Sequence, residues 1–119
     1  MKIRYQTKYG NVRMKLDGHT FDSKKEAKRY QELCILEAAG EISDLEIHPR
    51  FTLQKSFRDR EGNLEREISY TADFKYFDKG RNWWVVEDVK SPPTRREPAY
   101  VMKRKLFKGK YGHIIFREV

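Results

Sequence analysis

The sequence predicts an α/β domain: a mixed central β-sheet flanked by helices, in the order α-β-β-β-α-β. Three observations carry this. An apolar side at helical spacing runs from Ser23 to Ala39, strand-like runs separated by turn residues lie between Phe51 and Lys90, and a second helix leads from Pro98 to a closing apolar run, Ile114 to Val119. Three successive strands joined by short turns pair antiparallel, whereas the crossover through the second helix favours a parallel partner for the last strand. The sheet is therefore mixed.

Each element has its own signal. Residues 1–11 are polar and basic without periodicity and read as a loose N-terminal arm, leaving 12–119 as a single domain. Val12 to Phe21 alternates weakly around Asp17-Gly18, a two-residue hairpin signal. In the first helix, Ala27, Tyr30, Leu33, Cys34, Leu36 and Ala38 form the apolar side, and Gly40 ends it. Ile42 to Ile47 reads as a connector. Phe51 to Phe57 is a strand, Asp59 to Asn63 a turn, Leu64 to Phe77 one long strand, and Lys79 to Asn82 a second turn. Trp83 to Lys90 has the apolar density of a central strand. Pro92-Pro93 stops it, Thr94-Arg95-Arg96 is a loop, and Pro98 opens a helix that runs to about Lys108 with Ala99, Met102 and Leu106 on one face.

A chain of 119 residues buries roughly two-thirds of its unfolded surface and needs no disulfide. Cys34 has no partner cysteine, and on an apolar helical side it reads as a packed thiol in a reducing, cytoplasmic setting. No apolar run approaches the ~20 residues of a membrane span, and Met1-Lys2-Ile3-Arg4-Tyr5 lacks the apolar stretch of a signal peptide. Lys and Arg number 26 against 18 Asp and Glu, a net charge of +8. A basic, aromatic-bearing domain suits nucleic acid, although solubility alone also makes domains basic. His19, His48 and His113 lack zinc-ligand spacing, and His48 beside Pro49 reads as a loop or strand-start residue. Neither a Ser-His-Asp arrangement nor a Gly-rich phosphate loop is present.

The chemistry concentrates in Asp73, Asp88 and Lys90. Alternate residues of a strand share a face, so Asp88 and Lys90 point the same way while Val89 and Glu87 point the other. If the neighbouring runs pair as a hairpin, Asp73 approaches Asp88. Two carboxylates and an ammonium then converge, a grouping that binds a divalent cation and handles a phosphate. Mg2+ suits it, with Mn2+ as a substitute: it takes oxygen ligands from one or two carboxylates and keeps several waters. Asp73 and Asp88 are the ligands expected, and the Val89 carbonyl is a third. Lys90 would position or deprotonate the attacking water, or stabilise charge at the phosphate. The bland alternative is an ion pair on a strand pair, worth only ~0–1 kcal/mol at a surface. A carboxylate buried in an apolar strand is costlier and favours a functional reason.

Ala72-Asp73 followed by Asp88-Val89-Lys90, with strand, turn and strand between, resembles the core motif of the PD-(D/E)XK nuclease superfamily. The match is closer to a phage-encoded branch of small nucleases. Its segments are similar to Phe21-Asp22-Ser23-Lys24-Lys25-Glu26-Ala27-Lys28-Arg29-Tyr30, Tyr70-Thr71-Ala72-Asp73-Phe74, Glu87-Asp88-Val89-Lys90, and Lys103-Arg104-Lys105-Leu106-Phe107 with the closing Phe116-Arg117-Glu118-Val119. The resemblance covers about residues 12–119. It implies a restriction-endonuclease-like core and a Mg2+-dependent endodeoxyribonuclease, in the host cytoplasm if phage-encoded. Ala72 stands where the superfamily's name has proline, and Ser91-Pro92-Pro93 where relatives often have glycine. The resemblance also implies that Glu26, on the inward side of the first helix, reaches the metal. A second reading stands beside this one, because Ser23-Lys24-Lys25-Glu26 is a capping box.

Basic residues cluster in the arm, on the first helix (Lys24, Lys25, Lys28, Arg29), and beyond Lys90 (Arg95, Arg96, Lys103, Arg104, Lys105, Lys108, Lys110). Lys24, Lys28, Arg95, Arg96, Lys103 and Lys105 are the DNA-contacting candidates, Lys103 foremost as an auxiliary site residue; a solvated helix face is the alternative for each. Such binding is backbone-dominated and salt-sensitive. Analogy with small resolvases suggests branched DNA such as a Holliday junction, and cutting two strands suggests a symmetric homodimer, with Trp83, Tyr76 or Phe57 at its interface or in the core. The competing functions are a nicking or restriction-type endonuclease on duplex DNA, a non-catalytic nucleic-acid-binding module of the same fold, and a basic surface for an acidic partner.

Overall fold

The structure, a computed structural model, describes residues 4–8 and 11–119, with side chains described from Arg13 onward. The remaining residues of the expected arm, 1–3 and 9–10, lie outside the described residues. Arg4–Lys8 is not a loose arm: it is a strand, β1, paired antiparallel with β2 (Asn11–Leu16). The expected hairpin follows, β2 pairing with β3 (His19–Phe21) through Met14↔Phe21. Its turn places Asp17 at φ 52° and Gly18 at φ 81°, the two left-handed residues of a tight turn that matches strand twist. Asp17 also accepts a hydrogen bond from the Tyr30 hydroxyl at 2.9 Å, which fastens the hairpin to the first helix.

That helix, α1, spans Lys24–Ala38 with Ser23 as its N-cap. It ends as expected at Gly40, where φ is +79°. The amides of Gly40 and Glu41 turn back to the carbonyls of Glu37 and Leu36, each at 3.0 Å, satisfying carbonyls that the helix end would leave bare. Ala27, Tyr30 and Leu33 are buried, and Cys34 and Leu36 pack against the same cluster; Ala38 is exposed.

Ile42–Ile47 is not a connector. It is β4, an edge strand of the central sheet, antiparallel to β9 (Phe74–Asp78). Asp44 at φ 56° and a register shift between Ser43 and Glu46 interrupt its pattern, which is why it does not read as a strand. The run expected from Phe51 to Phe57 divides into β5 (Arg50–Gln54) and β6 (Phe57–Arg58). The long strand expected from Leu64 to Phe77 divides into β7 (Leu64–Glu65), β8 (Ile68–Thr71) and β9. β5 pairs with β8 and β6 with β7, both antiparallel and apart from the central sheet.

β10 (Trp83–Asp88) pairs antiparallel with β9 and parallel with β11 (Ile114–Glu118). The central sheet has the order β11-β10-β9-β4 and is mixed, as the crossover argument requires. The segment after Pro92 is a short helix, α2 (Pro92–Arg95), rather than a stop followed by a loop, and α3 (Pro98–Lys110) follows. α3 buries Tyr100 and Phe107, seven residues apart on one face. The face expected to carry Ala99, Met102 and Leu106 is instead turned outward, with Met102 58% and Leu106 46% exposed.

Two apolar clusters sandwich the sheet. Phe74, Tyr76 and Val85 meet α1 and the hairpin on one side. Val86, Tyr70, Phe51 and Ile114 meet Tyr100 and Phe107 on the other. Tyr76 is thus a core residue, whereas Phe57 is exposed. Among the described residues no helix is long and apolar enough to cross a membrane.

One ion pair crosses the first cluster. Glu87, with no exposed surface, takes Arg29 Nε on one carboxylate oxygen and Nη2 on the other, both at 2.7 Å, and also the Tyr76 hydroxyl. Arg29 is therefore a clamp between α1 and β10. Removing one member of such a pair leaves a buried charge, at a cost of about 3–5 kcal/mol. Arg29→Met is expected to lose that much stability in urea unfolding, and adding Glu87→Gln should recover part of the loss by removing the stranded charge. A loss under about 1 kcal/mol for Arg29→Met, the range of an exposed pair, would contradict the clamp.

Candidate functional site

The site forms where the chain passes between two sheets. β8 ends at Thr71 and β9 begins at Phe74, so Ala72 and Asp73 occupy the gap. The gap is braced on both sides. The Ala72 amide donates to the Pro49 carbonyl at 3.0 Å, the Asp73 amide to the Glu87 carbonyl at 3.1 Å, and the His48 amide to the Asp73 carbonyl at 2.9 Å. The Val89 amide donates to the Asp73 carboxylate (Oδ2) at 2.6 Å. Asp73 is thereby fixed between the end of β4 and the end of β10.

Strand alternation sorts the residues of β10 as expected. Glu87 faces α1, while Asp88 faces Tyr70 and lies 3.2 Å from the Lys90 ammonium through Oδ1. Asp88 is only 1% exposed. Its Oδ2 accepts from the Tyr70 hydroxyl, whereas Oδ1 has no aligned hydrogen-bond donor and meets Lys90 only at ion-pair distance. Lys90 also stands over the Tyr100 ring.

Glu26 caps the helix, and its second carboxylate oxygen faces the site. Its amide donates to Ser23 Oγ at 3.1 Å, and its Oε2 accepts from the Asp22 amide at 3.3 Å, one residue before the N-cap. Its Oε1 lies 2.9 Å from His48 Nε2. Glu26, His48 and Asp73 each offer one donor atom, and these atoms all lie within 4.8 Å of one another. Asp73 therefore has Glu26 and His48 beside it as well as Asp88. The contact Val89 makes at the site is through its amide, on Asp73.

His48 is the residue that sequence reasoning missed. Its proximity to Asp73 follows from the pairing Ile47↔Phe74, a long-range register that no local pattern reports. Asp73, Glu26 and Lys90 open on a cleft of about 370 Å³ that Lys25 and Thr94 also line. On the far side of Lys90 a second cleft of about 350 Å³ is lined by Ser69, Thr71, Tyr100 and Lys103. The other basic candidates are dispersed. Lys24 and Lys28 are exposed on α1 outside the cleft lining, Arg95 donates to the Lys90 carbonyl at 3.2 Å, and Arg96 and Lys105 line an apolar recess on the outer face of α3.

The electrostatics are those of crowded negative charge. Burial, with Glu26 and Asp88 adding to it, raises the Asp73 carboxyl from 3.8 to about 8. Burial pulls the Lys90 ammonium down, but Asp88, Asp73 and Glu26 outweigh it, so the net shift is upward and Lys90 stays charged at neutral pH. Burial and Asp88 likewise push the Tyr70 hydroxyl well above its usual range, so it remains a donor. Glu26, His48 and Asp73 together form a group whose donor atoms lie close enough to hold a metal ion, and the Asp88 oxygen without an aligned donor is buried nearby.

A mixed α/β domain whose carboxylates, imidazole and lysine converge at a break beside its central strand is the class that fold and site define. The chain belongs to the family described as Protein of unknown function (DUF1064), whose profile matches residues 6–118. No curated protein and no solved structure matches it significantly.

The raised Asp73 carboxyl has a measurable consequence. Between 3.8 and about 8 the native state holds a proton that the unfolded chain has released, so this group lowers stability progressively as pH rises through that window without divalent cations. Asp73→Asn removes the effect. Its urea midpoint is expected to exceed that of the wild type at pH 8, with the difference shrinking towards pH 4; a difference independent of pH would contradict the assignment.

Proposed function

We propose that this protein is a divalent-metal-dependent DNA endonuclease of the PD-(D/E)XK kind, hydrolysing phosphodiester bonds with a preference for branched DNA. The observation that carries the reading is that Glu26, Asp73 and Lys90, from three separate elements, open on one cleft, with Asp88 buried against Lys90. The central-sheet strands and the two longer helices support it as well: with β5–β8 and α2 set aside they run α1-β4-β9-β10-α3-β11, consistent with an α-β-β-β-α-β core in which Asp73 precedes the second strand and Asp88 ends the third.

In this reading Asp73 and Glu26 hold the cation, Mg2+ or Mn2+, with Asp88 close behind. Such a cation supplies a Lewis acid for the phosphate and a more acidic bound water. Asp73 must give up its proton for this, so metal affinity rises with pH. Lys90 serves as an ammonium: it balances the carboxylates before substrate arrives and faces the negative charge that develops on the phosphate. Its upward shift argues against a role as the base that deprotonates water. Tyr70 holds Asp88 from behind and leaves Oδ1 towards Lys90. Lys25 at the cleft and Lys103 across Lys90 are placed to take neighbouring backbone phosphates. Contacts of this type make binding salt-sensitive and weakly sequence-dependent.

The test is cleavage of labelled four-way junction, flap, duplex and single-stranded DNA by the purified chain with Mg2+ or Mn2+. The branched substrates are expected to be cut fastest. Lys90→Ala should slow cleavage by about 10²–10³-fold, the scale of a lost transition-state donor, while DNA binding persists in a gel-shift assay. If no DNA is cut with either cation, or the variant cuts as fast as the wild type, the nuclease reading fails.

A further inference from the structure

We propose that His48 is a metal ligand, making the site a mixed nitrogen–oxygen centre that takes Mn2+ in preference to Mg2+. This rests on the metal site of the nuclease reading and reverses the cation order that carboxylates alone suggest.

The backbone supplies the first argument. His48 has φ +53°, a region sparsely populated by residues with a Cβ. It also precedes Pro49, and a residue before proline favours extended geometry instead. Two preferences are overridden at one position, and the surroundings enforce this through the hydrogen bonds from the His48 amide to Asp73 and from the Ala72 amide to Pro49. Strain of this kind collects at functional positions.

The side chain supplies the second. His48 Nε2 lies 2.9 Å from Glu26 Oε1, and the same three-residue group includes an Asp73 oxygen. The ring rests beside the buried Phe21, with ring centroids 5.9 Å apart, which limits its orientation. The side chain is 40% exposed, so a cation has access. A hydrogen bond to Glu26 alone would need no second carboxylate within reach. A cation among the three would replace the direct contact between Glu26 and His48.

Ligand chemistry sets the preference. Mg2+ is a hard ion that favours oxygen and retains its waters. Imidazole suits the first-row transition ions, and carboxylate suits Mg2+ and Mn2+ alike. Of these two cations, Mn2+ gains more from one nitrogen and two carboxylates.

The test is calorimetric titration of the full chain with MnCl2 and with MgCl2, together with pulsed electron paramagnetic resonance of the Mn2+ complex. The expectation is Mn2+ binding tighter by about 10-fold or more, a conservative figure given that even outer-shell changes cost 10–100-fold in metal affinity, and a 14N coupling from a directly bound imidazole. His48→Ala, and His48→Asn, which tolerates positive φ, should both lose the coupling and weaken Mn2+ more than Mg2+; circular dichroism confirms that they fold. Equal affinity for the two cations, absence of the nitrogen coupling, absence of binding, or Mn2+ affinity unchanged in His48→Asn would overturn the inference. If DNA is cut equally well with Mn2+ at limiting concentration by the His48 variants, the inference fails while the nuclease reading stands. If Mn2+ binds through His48 and no DNA is cut, the nuclease reading fails while the metal site stands.

Discussion

Glu87 joins the two halves of the candidate site. Its carbonyl accepts the Asp73 amide, and its carboxylate clamps Arg29 one helical turn beyond Glu26. β10 thus fixes Asp73 by main chain and the second turn of α1 by side chain, using one residue for both. Asp88, the next residue, points to the opposite side and anchors Lys90. Adjacent acidic residues have different work because a strand sends alternate side chains to opposite faces. Glu87, without exposed surface, belongs to a structural ion pair; Asp88 lies behind the cleft.

The clamp matters because the groups it brings together repel. Glu26, Asp73 and Asp88 crowd near one ammonium, and burial first, then Glu26 and Asp88, raise the Asp73 carboxyl. A fold selected for stability alone would not gather carboxylates this way, since each unpaired buried charge is costly. The geometry is held instead by main-chain hydrogen bonds on both sides of Asp73 and by the Arg29–Glu87 pair, which do not depend on the charge state of the cleft. Proton uptake on Asp73 relieves that tension, and the proposed cation would do the same.

Much of this was legible in the sequence, and what was not has a common physical cause. Parity alone separated Glu87 from Asp88 and Lys90. The Asp17-Gly18 hairpin, the Ser23 and Gly40 helix ends and the parallel last strand follow from local conformational rules. The break at Ala72-Asp73 was hidden because Tyr70, Ala72, Phe74 and Tyr76 keep one alternating buried series straight through it, while the pairing partner changes from β5 to β4 and β10. β4 was hidden by Asp44 at positive φ. On α3, two large aromatics seven residues apart outweighed the Met102 and Leu106 stripe. His48 was illegible because its neighbours are set by register between distant strands, and its backbone defies the local preference imposed by Pro49.

The central claim is that the cleft at Asp73 is a divalent-cation site. Diffraction from crystals grown with MnCl2, recorded on either side of the manganese absorption edge, tests it most directly. The account predicts an anomalous peak in contact with the Asp73 carboxylate and lost in Asp73→Asn. Manganese bound only elsewhere on the molecule, or no peak at saturating Mn2+, would contradict it.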